Sequence, residues 1–245
     1  MSANSSCASE PLVAGDSVDT RLDIWSRLHA IGVLAAIGIG DVFWTLRPIG
    51  AWALASFLYL IWHCRANWTP HGSFGLANGV TALRLALVLL IAYCMRAEPG
   101  RAIAIMVLSI FVLDGVDGWL ARRTGSASPF GAHFDMETDA LLVLIATQEL
   151  WQRGELGIWI LTSGLLRYLY VIYSALLPKR ALPMPPSRFG RAAFSGLAIG
   201  IVLAFTFPSP LGAIAAGAGT LLVGISFTRS FYWTWLSMTS AKSGA

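Results

Sequence analysis

Long apolar stretches are the feature that most constrains this chain. Eight of them lie between residues 28 and 228, each near the roughly 20 residues that a helix needs to cross a bilayer core. They cover about 28–46, 49–65, 76–95, 102–121, 134–152, 156–177, 191–207 and 210–228. Hydrophobic residues make up 56% of the chain and charged residues only 12%, which excludes a soluble domain with a large core. The sequence therefore predicts an all-α, polytopic membrane protein.

The placement of Lys and Arg predicts the orientation of these spans. With both chain ends in the cytoplasm, 11 of the 17 basic residues fall on the cytoplasmic side and 4 on the other. The cytoplasmic group is Arg21, Arg27, Arg65, Arg122, Arg123, Lys179, Arg180, Arg188, Arg191, Arg229 and Lys242. We expect a multi-pass protein of the cell (inner) membrane. Its net charge of +4 reflects this topology and not a nucleic-acid partner.

Acidic residues gather where the fourth span ends and the fifth begins. Of the 13 acidic residues, five lie here: Asp114, Asp117, Asp135, Glu137 and Asp139. The spacings 114/117 and 135/139 each put two side chains on one face of a helix. A carboxylate in the middle of a membrane helix costs about 2.5–3.5 kcal/mol, so protonation or a cation must compensate it. All-oxygen ligands select hard cations such as Mg²⁺, and two such ions suit chemistry on a phosphoryl group.

These residues resemble the signature of the CDP-alcohol phosphotransferases (CDP-alcohol phosphatidyltransferases), D-x-x-D-G-x-x-A-R, eight residues, G-x-x-x-D-x-x-x-D. The matching positions are Asp114, Asp117, Gly118, Ala121, Arg122, Gly131, Asp135 and Asp139. Eight fixed residues at fixed spacing are a specific signal. The resemblance implies a six-span catalytic core and an all-α fold with two extra N-terminal transmembrane helices.

That resemblance predicts how the chain is divided. Residues 1–27 are a polar N-terminal segment, and 28–73 hold the two additional spans with a loop. Residues 74–230 form the catalytic six-span domain, and 231–245 are a C-terminal tail. For the two additional spans we expect a packing or anchoring role.

The resemblance also assigns roles to the signature residues. Asp114, Asp117 and Asp135 would hold one or two Mg²⁺ or Mn²⁺ ions, and Asp139 would touch the second ion and act as the catalytic base. Predicted contacts to the CDP-linked lipid are Asn78, Thr81, Gly118, Ala121, Arg122, Ser128 and Gly131. Asn78 and Thr81 have an alternative role as helix caps.

Two intramembrane cations, Arg84 and Arg167, need partners because a guanidinium within an apolar helix rarely lies unpaired. For Arg84 we expect a carboxylate of the aspartate cluster or a substrate phosphate. Arg167, together with Arg188 and Arg191, is predicted to bind the phosphate of an alcohol acceptor. A packing role beside neighbouring tyrosines is the alternative for Arg167. Many relatives have Gly-Lys followed by Thr where this chain has Gly190-Arg191 followed by Ala and Phe, which leaves the acceptor's identity open.

The predicted reaction transfers a phosphatidyl group from CDP-diacylglycerol to a polar, phosphorylated alcohol and releases CMP. Headgroup transfer from a CDP-linked alcohol to a lipid acceptor is the alternative within the family, whose members are also expected to form homodimers. A membrane prenyltransferase would need a different aspartate arrangement. A cation-conducting transporter would spread polar residues along several spans, whereas here they gather at one face. A non-catalytic family member would have lost signature positions, and none is lost.

Overall fold

The computed structural model describes residues 15–177, 187–207 and 210–243, which form eight α-helices and no strand. The helices are α1 Gly15–Val42, α2 Arg47–His63, α3 Leu76–Cys94, α4 Gly100–Thr124, α5 Pro129–Gln152, α6 Leu161–Ala175, α7 Arg188–Thr206 and α8 Leu211–Ser243. Short 3₁₀ turns cover Met95–Ala97 and Ile158–Ile160. The all-α prediction is confirmed. Lys179 and Arg180, which the topology prediction counts as cytoplasmic, lie outside the described residues, as do residues 1–14.

The first helix begins earlier than the apolar run that predicts it. Residues 15–27, expected to be a polar segment before the first span, form the first half of α1. Val18, Leu22 and Trp25 follow one another at spacings of four and three and are buried. This spacing is that of an amphipathic helix, which a search for a continuous apolar run does not detect.

The last helix ends later than predicted. The eighth span was expected to finish near residue 228, but α8 continues to Ser243 and includes most of the predicted C-terminal tail. Phe231 packs against Tyr170 and Tyr173 of α6, with ring centroids 5.3 and 4.9 Å apart. These aromatic contacts hold the extended part of α8 against the bundle.

Six of the helices in the described ranges are long and apolar enough to cross a membrane. They are α1, α3, α4, α6 with its preceding 3₁₀ turn, α7 and α8. Large apolar side chains face outward from several helices, among them Ile31, Leu58, Leu83, Leu108 and Leu221. The chain is therefore a multi-pass membrane protein. With 17 residues, α2 reaches only about 25 Å at 1.5 Å per residue.

The fifth helix is the centre of the bundle. It packs against α1, α3, α4, α6 and α7, and every residue from Ala140 to Leu150 is buried. Because protein and not lipid surrounds α5, its polar side chains can find partners on neighbouring helices. This explains why α5 carries Asp135, Glu137, Asp139 and Glu149 although it lies in the middle of the protein.

Polar contacts at one end of the bundle join three loops. The Trp44 indole nitrogen donates to the carbonyl of Gln152 over 3.1 Å, and Arg96 donates to the Gln152 side chain over 2.5 Å. Arg153 donates to the carbonyl of Arg96 over 2.9 Å. The α1–α2, α3–α4 and α5–α6 connections therefore lie at the same end, as consecutive antiparallel spans require. The aspartates lie towards the opposite end.

Candidate active site

The third helix supplies one wall of the site through a row of polar residues. Asn78, Thr81 and Arg84 follow one another every three residues, so they share one face, and all three are buried. The Thr81 hydroxyl lies 3.0 Å from a carboxylate oxygen of Asp117. The Asn78 amide donates to the carbonyls of Trp68 over 3.2 Å and Phe74 over 2.7 Å. Asn78 thereby fixes the chain that enters α3.

The start of α5 is hydrogen-bonded to the loop between α2 and α3. Ser128 is the N-cap of α5, where its side chain accepts a hydrogen bond from the Gly131 amide over 3.0 Å. Its hydroxyl donates to the carbonyl of Trp68 over 2.7 Å, the carbonyl that Asn78 also reaches. The α2–α3 loop, α3 and α5 are therefore joined at one point next to the aspartates.

One guanidinium lies among all four predicted aspartates. Arg84, whose side chain is 0% exposed, is paired with Asp114 over 3.0 Å, Asp117 over 2.6 Å and Asp135 over 2.5 Å, and also with Asp139. The expectation that Arg84 faces the aspartate cluster is confirmed. Four carboxylates against one guanidinium still leave an excess of negative charge, which favours binding of additional cations.

Three of the aspartates form a group with the geometry of a metal site. Asp114, Asp135 and Asp139 each offer a carboxylate oxygen, and these oxygens lie within 4.8 Å of one another. An all-carboxylate set fits a hard divalent ion such as Mg²⁺. Asp117 is outside this group, and its 4% exposed side chain accepts hydrogen bonds from Thr81 and Arg84. The four predicted ligands thus separate into three grouped carboxylates and one that is more deeply enclosed.

A first cavity of about 200 Å³ opens beside these aspartates between α3, α4 and α5. Its lining includes all seven residues predicted to contact a CDP-linked lipid: Asn78, Thr81, Gly118, Ala121, Arg122, Ser128 and Gly131. Asp117 and Asp135 complete the wall on the side of the cluster. We call this space the first cavity.

Two glycines keep the first cavity accessible. A Cβ on Gly131 would lie 2.9 Å from the side-chain oxygen of Asn78, so any larger residue would displace that side chain. A Cβ on Gly118 would lie 3.4 Å from a guanidinium nitrogen of Arg122. The Arg122 side chain therefore folds back over Gly118 and brings its charge to the cavity wall.

A second cavity of about 380 Å³ lies on the other side of the cluster, between α5, α6, α7 and α8. Asp135 and Asp139 form its edge, and Arg167 is its cationic lining residue. Much of its wall is apolar: Met136, Ala140, Val143, Phe194, Leu197, Val223 and Phe227. We call this space the second cavity.

The three arginines predicted to bind the acceptor differ in their position relative to the second cavity. Arg167 lines the second cavity, and its guanidinium is 2.6 Å from a carboxylate oxygen of Glu137. Arg188 and Arg191 lie on the first turn of α7 with exposed side chains and do not line this cavity. Gly190, between them, does line it, so the two arginines flank its rim. Sequence reasoning had not foreseen Glu137 as the partner of Arg167.

Comparison with known families identifies the family to which a chain with this site belongs. Residues 74–235 match the family model described as CDP-alcohol phosphatidyltransferase. The chain belongs to this family.

Proteins similar to this chain have names that refer to different substrates. The chain is 31% identical over 159 residues to a protein named probable phosphatidylglycerophosphate synthase from Mycobacterium tuberculosis, covering 61% of this chain and 76% of that protein. It is 29% identical over 170 residues to human cholinephosphotransferase 1, covering 64% of this chain and 41% of that protein. A Schizosaccharomyces pombe CDP-diacylglycerol–inositol 3-phosphatidyltransferase is 39% identical over 70 residues, 29% of each chain. No solved structure matches the chain significantly.

This CDP-alcohol phosphatidyltransferase carries two helices outside the matched range. The family model begins at residue 74, after α1 and α2 have ended. Both cavities and all four aspartates belong to α3–α8, within the matched residues. The hairpin of α1 and α2 nevertheless packs against α3, α5 and α6 and so is part of the bundle around the site.

Proposed function

We propose that this enzyme transfers a phosphatidyl group from CDP-diacylglycerol to a small alcohol that carries a phosphate, with release of CMP. The observation that carries the proposal is the position of Asp135, which lines both cavities. A transfer reaction needs donor and acceptor to meet at one point, and the aspartate cluster lies where the two spaces adjoin.

The first cavity suits the cytidine diphosphate part of the donor. The small side chains of Gly118, Ala121 and Gly131 let a base or a ribose approach the backbone closely. Arg122 presents a planar guanidinium fork, which pairs well with a diphosphate. The acyl chains of the donor remain in the surrounding bilayer.

The grouped aspartates would hold the metal. Asp114, Asp135 and Asp139, with Asp117 beside them, offer the oxygen ligands that one or two Mg²⁺ or Mn²⁺ ions prefer. The chemistry that a divalent ion would supply there is neutralisation of the diphosphate, which would make CMP a better leaving group. Arg84 holds the four carboxylates together from the buried side.

Asp139 is assigned as the base because of where it lies. It lines the second cavity and not the first, whereas Asp117 lines the first and not the second. In that position Asp139 accepts the proton of the acceptor hydroxyl while the hydroxyl oxygen attacks the phosphorus attached to the lipid. A new P–O bond forms to the acceptor, the P–O bond to CMP breaks, and CMP leaves.

The second cavity would take the acceptor, with Arg167 at its phosphate. Arg167 has N–H donors left after its pairing with Glu137, because a guanidinium has five. Arg188 and Arg191 at the rim attract the anionic acceptor towards the cavity.

A second candidate function is favoured by the apolar wall of the second cavity. Met136, Phe194, Leu197 and Phe227 are better suited to an acyl-bearing alcohol than to a polyhydroxylated one. In that case the enzyme moves a CDP-linked headgroup onto a lipid acceptor, which is the alternative direction of transfer.

Orientation and assembly complete the proposal. The aspartate cluster faces the cytoplasm of the cell (inner) membrane, where soluble cytidine nucleotides are available, and the enzyme acts as a homodimer. Accessibility of a cysteine introduced at exposed Thr124, compared with one at exposed Glu98, tests the orientation in intact cells. Labelling of the second position and not the first by an impermeant thiol reagent is the expected result, and the reverse pattern would refute it.

The experiment follows CMP release from CDP-diacylglycerol by purified enzyme with Mg²⁺ and a panel of alcohols. Asp139→Asn should lower kcat by at least about 100-fold, since general base catalysis contributes about 10²–10⁴-fold, while affinity for the CDP-lipid is kept. Arg167→Ala should raise chiefly the KM of the acceptor. Glu155→Gln and Arg101→Ala, both at exposed positions, are the matched charge controls. Normal turnover of Asp139→Asn would refute the base assignment, and an unchanged acceptor KM in Arg167→Ala would refute the acceptor assignment.

A further inference from the structure

Glu137 is a buried carboxylate that the proposed reaction does not use. Its side chain is 1% exposed, and it lies on α5 two residues from both Asp135 and Asp139. Residues two apart point to different sides of a helix, so Glu137 faces away from the aspartate cluster. Its ion-pair partner is Arg167 of α6, over 2.6 Å.

Among the residues that the structure describes, Arg167 is held from one side only. One terminal nitrogen donates to Glu137, the guanidinium borders the second cavity, and its buried Nε has no hydrogen-bond partner within the described ranges. A partly buried guanidinium that pairs with a single carboxylate takes its direction from that carboxylate. Glu137 therefore determines which of the remaining donors face the cavity.

The α1–α2 hairpin encloses the side of this pair that faces away from the cavity. His29 of α1 is fully buried, with its Nδ1 2.9 Å from the hydroxyl of Ser56 on α2. The indole of Trp25 stacks on the His29 ring at 5.0 Å and donates to the Ser56 carbonyl over 3.0 Å. These contacts fix the orientation of the imidazole relative to both helices of the hairpin.

His29 faces the helix that carries Arg167. Its ring lies 6.1 Å from the ring of Tyr168, and α1 packs against both α5 and α6. Tyr168 follows Arg167 directly on α6, so the His29 ring lies against the residue next to Arg167. The Nε2 of His29 and the hydroxyl of Tyr168 are buried without hydrogen-bond partners in the part of the chain that the structure describes. Polar atoms of this kind usually receive a partner from ordered water or from a small rearrangement, so these two atoms are available for a shared partner next to the Glu137–Arg167 pair.

We propose that Glu137 is a positioning residue that aims Arg167 into the second cavity, and that the α1–α2 hairpin supports this pair through His29. The inference rests on the proposed function, because it assigns Arg167 to the phosphate of the acceptor. It gives the hairpin, which lies outside the matched family range, a part in acceptor recognition and not only in anchoring.

The test compares variants that remove one polar group while keeping shape. Glu137→Gln removes the charge that orients Arg167, and Glu137→Asp keeps the charge on a shorter side chain. His29→Phe keeps a ring beside Trp25 and removes both nitrogens. His63→Phe is the matched control, because His63 is an exposed histidine of the same hairpin.

Two readouts are measured on each full-length variant in lipid nanodiscs. The first is the pair of KM values, for CDP-diacylglycerol and for the best acceptor of the alcohol panel, together with kcat. The second is the affinity for inorganic phosphate by calorimetry. A KM does not depend on how much of the preparation is folded, so it remains interpretable if a variant is less stable.

We expect Glu137→Gln to raise the acceptor KM and weaken phosphate binding by about tenfold or more, with the donor KM within about twofold. Glu137→Asp should recover part of this loss. His29→Phe should raise the acceptor KM by about threefold or more, and His63→Phe should behave as wild type. Acceptor KM and phosphate affinity that stay within about twofold in Glu137→Gln and His29→Phe would overturn the inference.

Failure of the proposed function would give a different experimental result from failure of this inference. Wild-type enzyme that released no CMP with any phosphorylated alcohol would refute that function. The phosphate-binding readout would still decide the inference: weaker binding in Glu137→Gln and His29→Phe supports it, and binding as in wild type overturns it.

Discussion

Arg84 is predicted to take the place of a cation when no divalent ion is bound. Arg84→Met removes the guanidinium but keeps an unbranched apolar stem, leaving four carboxylates with no positive partner among the described contacts. The expected results are lower stability without metal and stronger stabilisation by Mg²⁺ than in the wild type.

The magnitude follows from the burial of the four partners. The side chains of Asp114 and Asp135 are 36% and 39% exposed, so their pairs with Arg84 are screened by solvent and contribute about 0–1 kcal/mol each. Asp117 and Asp139 are 5% and 20% exposed and form the buried part of the cluster. Breaking a buried pair by removing one partner costs about 3–5 kcal/mol. At about 2–4 °C per kcal/mol, the unfolding midpoint should fall by roughly 10 °C.

The assay is thermal unfolding of purified protein in nanodiscs, with EDTA and with millimolar Mg²⁺. Arg84→Met should show the low midpoint in EDTA and recover a large part of the loss in Mg²⁺, whereas Mg²⁺ should shift the wild type less. Arg101→Met, at an exposed position, is the control. A variant with the wild-type midpoint in EDTA, or with no added response to Mg²⁺, would refute the reasoning.

Two further predictions concern close packing, and Gly79→Ala is the control for both because a Cβ there meets nothing within 4 Å. Gly131→Ala would place a methyl 2.9 Å from the Asn78 oxygen, so the CDP-lipid KM should rise about threefold or more while the acceptor KM stays constant. Gly164→Ala would place one 2.9 Å from Leu144 Cα, forcing α5 and α6 apart, so thermal unfolding should show a loss of about 1–3 kcal/mol. An unchanged donor KM in the first, or an unchanged midpoint in the second, would contradict the packing that the structure shows.

The helices were largely predictable from the sequence because each apolar run is bounded by polar or turn-forming residues. The third span was expected at 76–95, and α3 covers Leu76–Cys94. The first and last helices were not bounded correctly. Their additional turns are held by a few packed residues, such as buried Leu22 in α1 and half-buried Phe231 in α8, and not by continuous hydrophobicity.

The sequence predicted those parts of the site that depend only on the spacing of residues along one helix. The pairs Asp114/Asp117 and Asp135/Asp139 converge as helical spacing requires. That Arg84 meets all four carboxylates depends on the rotation of three helices relative to one another, which no local pattern encodes.

The ion pair between Glu137 and Arg167 could not be predicted by matching charges alone. Arg167 is the intramembrane cation left over once Arg84 is matched with the four aspartates, but Glu137, Glu149 and Asp41 are all carboxylates left within the predicted spans. The observed pair depends on which face α5 turns towards α6. The exposed positions of Arg188 and Arg191 likewise follow from the rotation of α7, which the sequence does not fix.

The central claim is that the two cavities hold a CDP-activated lipid and an alcohol on either side of one aspartate cluster. The most direct measurement uses CDP-diacylglycerol labelled at the phosphate next to the glycerol backbone, with wild-type enzyme and a phosphorylated alcohol. The account predicts that the label passes into a new phospholipid while unlabelled CMP is released, and that both stop when Mg²⁺ is removed. CDP-diacylglycerol left unconsumed in the presence of Mg²⁺, while a CDP-linked alcohol is consumed with a lipid acceptor, would contradict it.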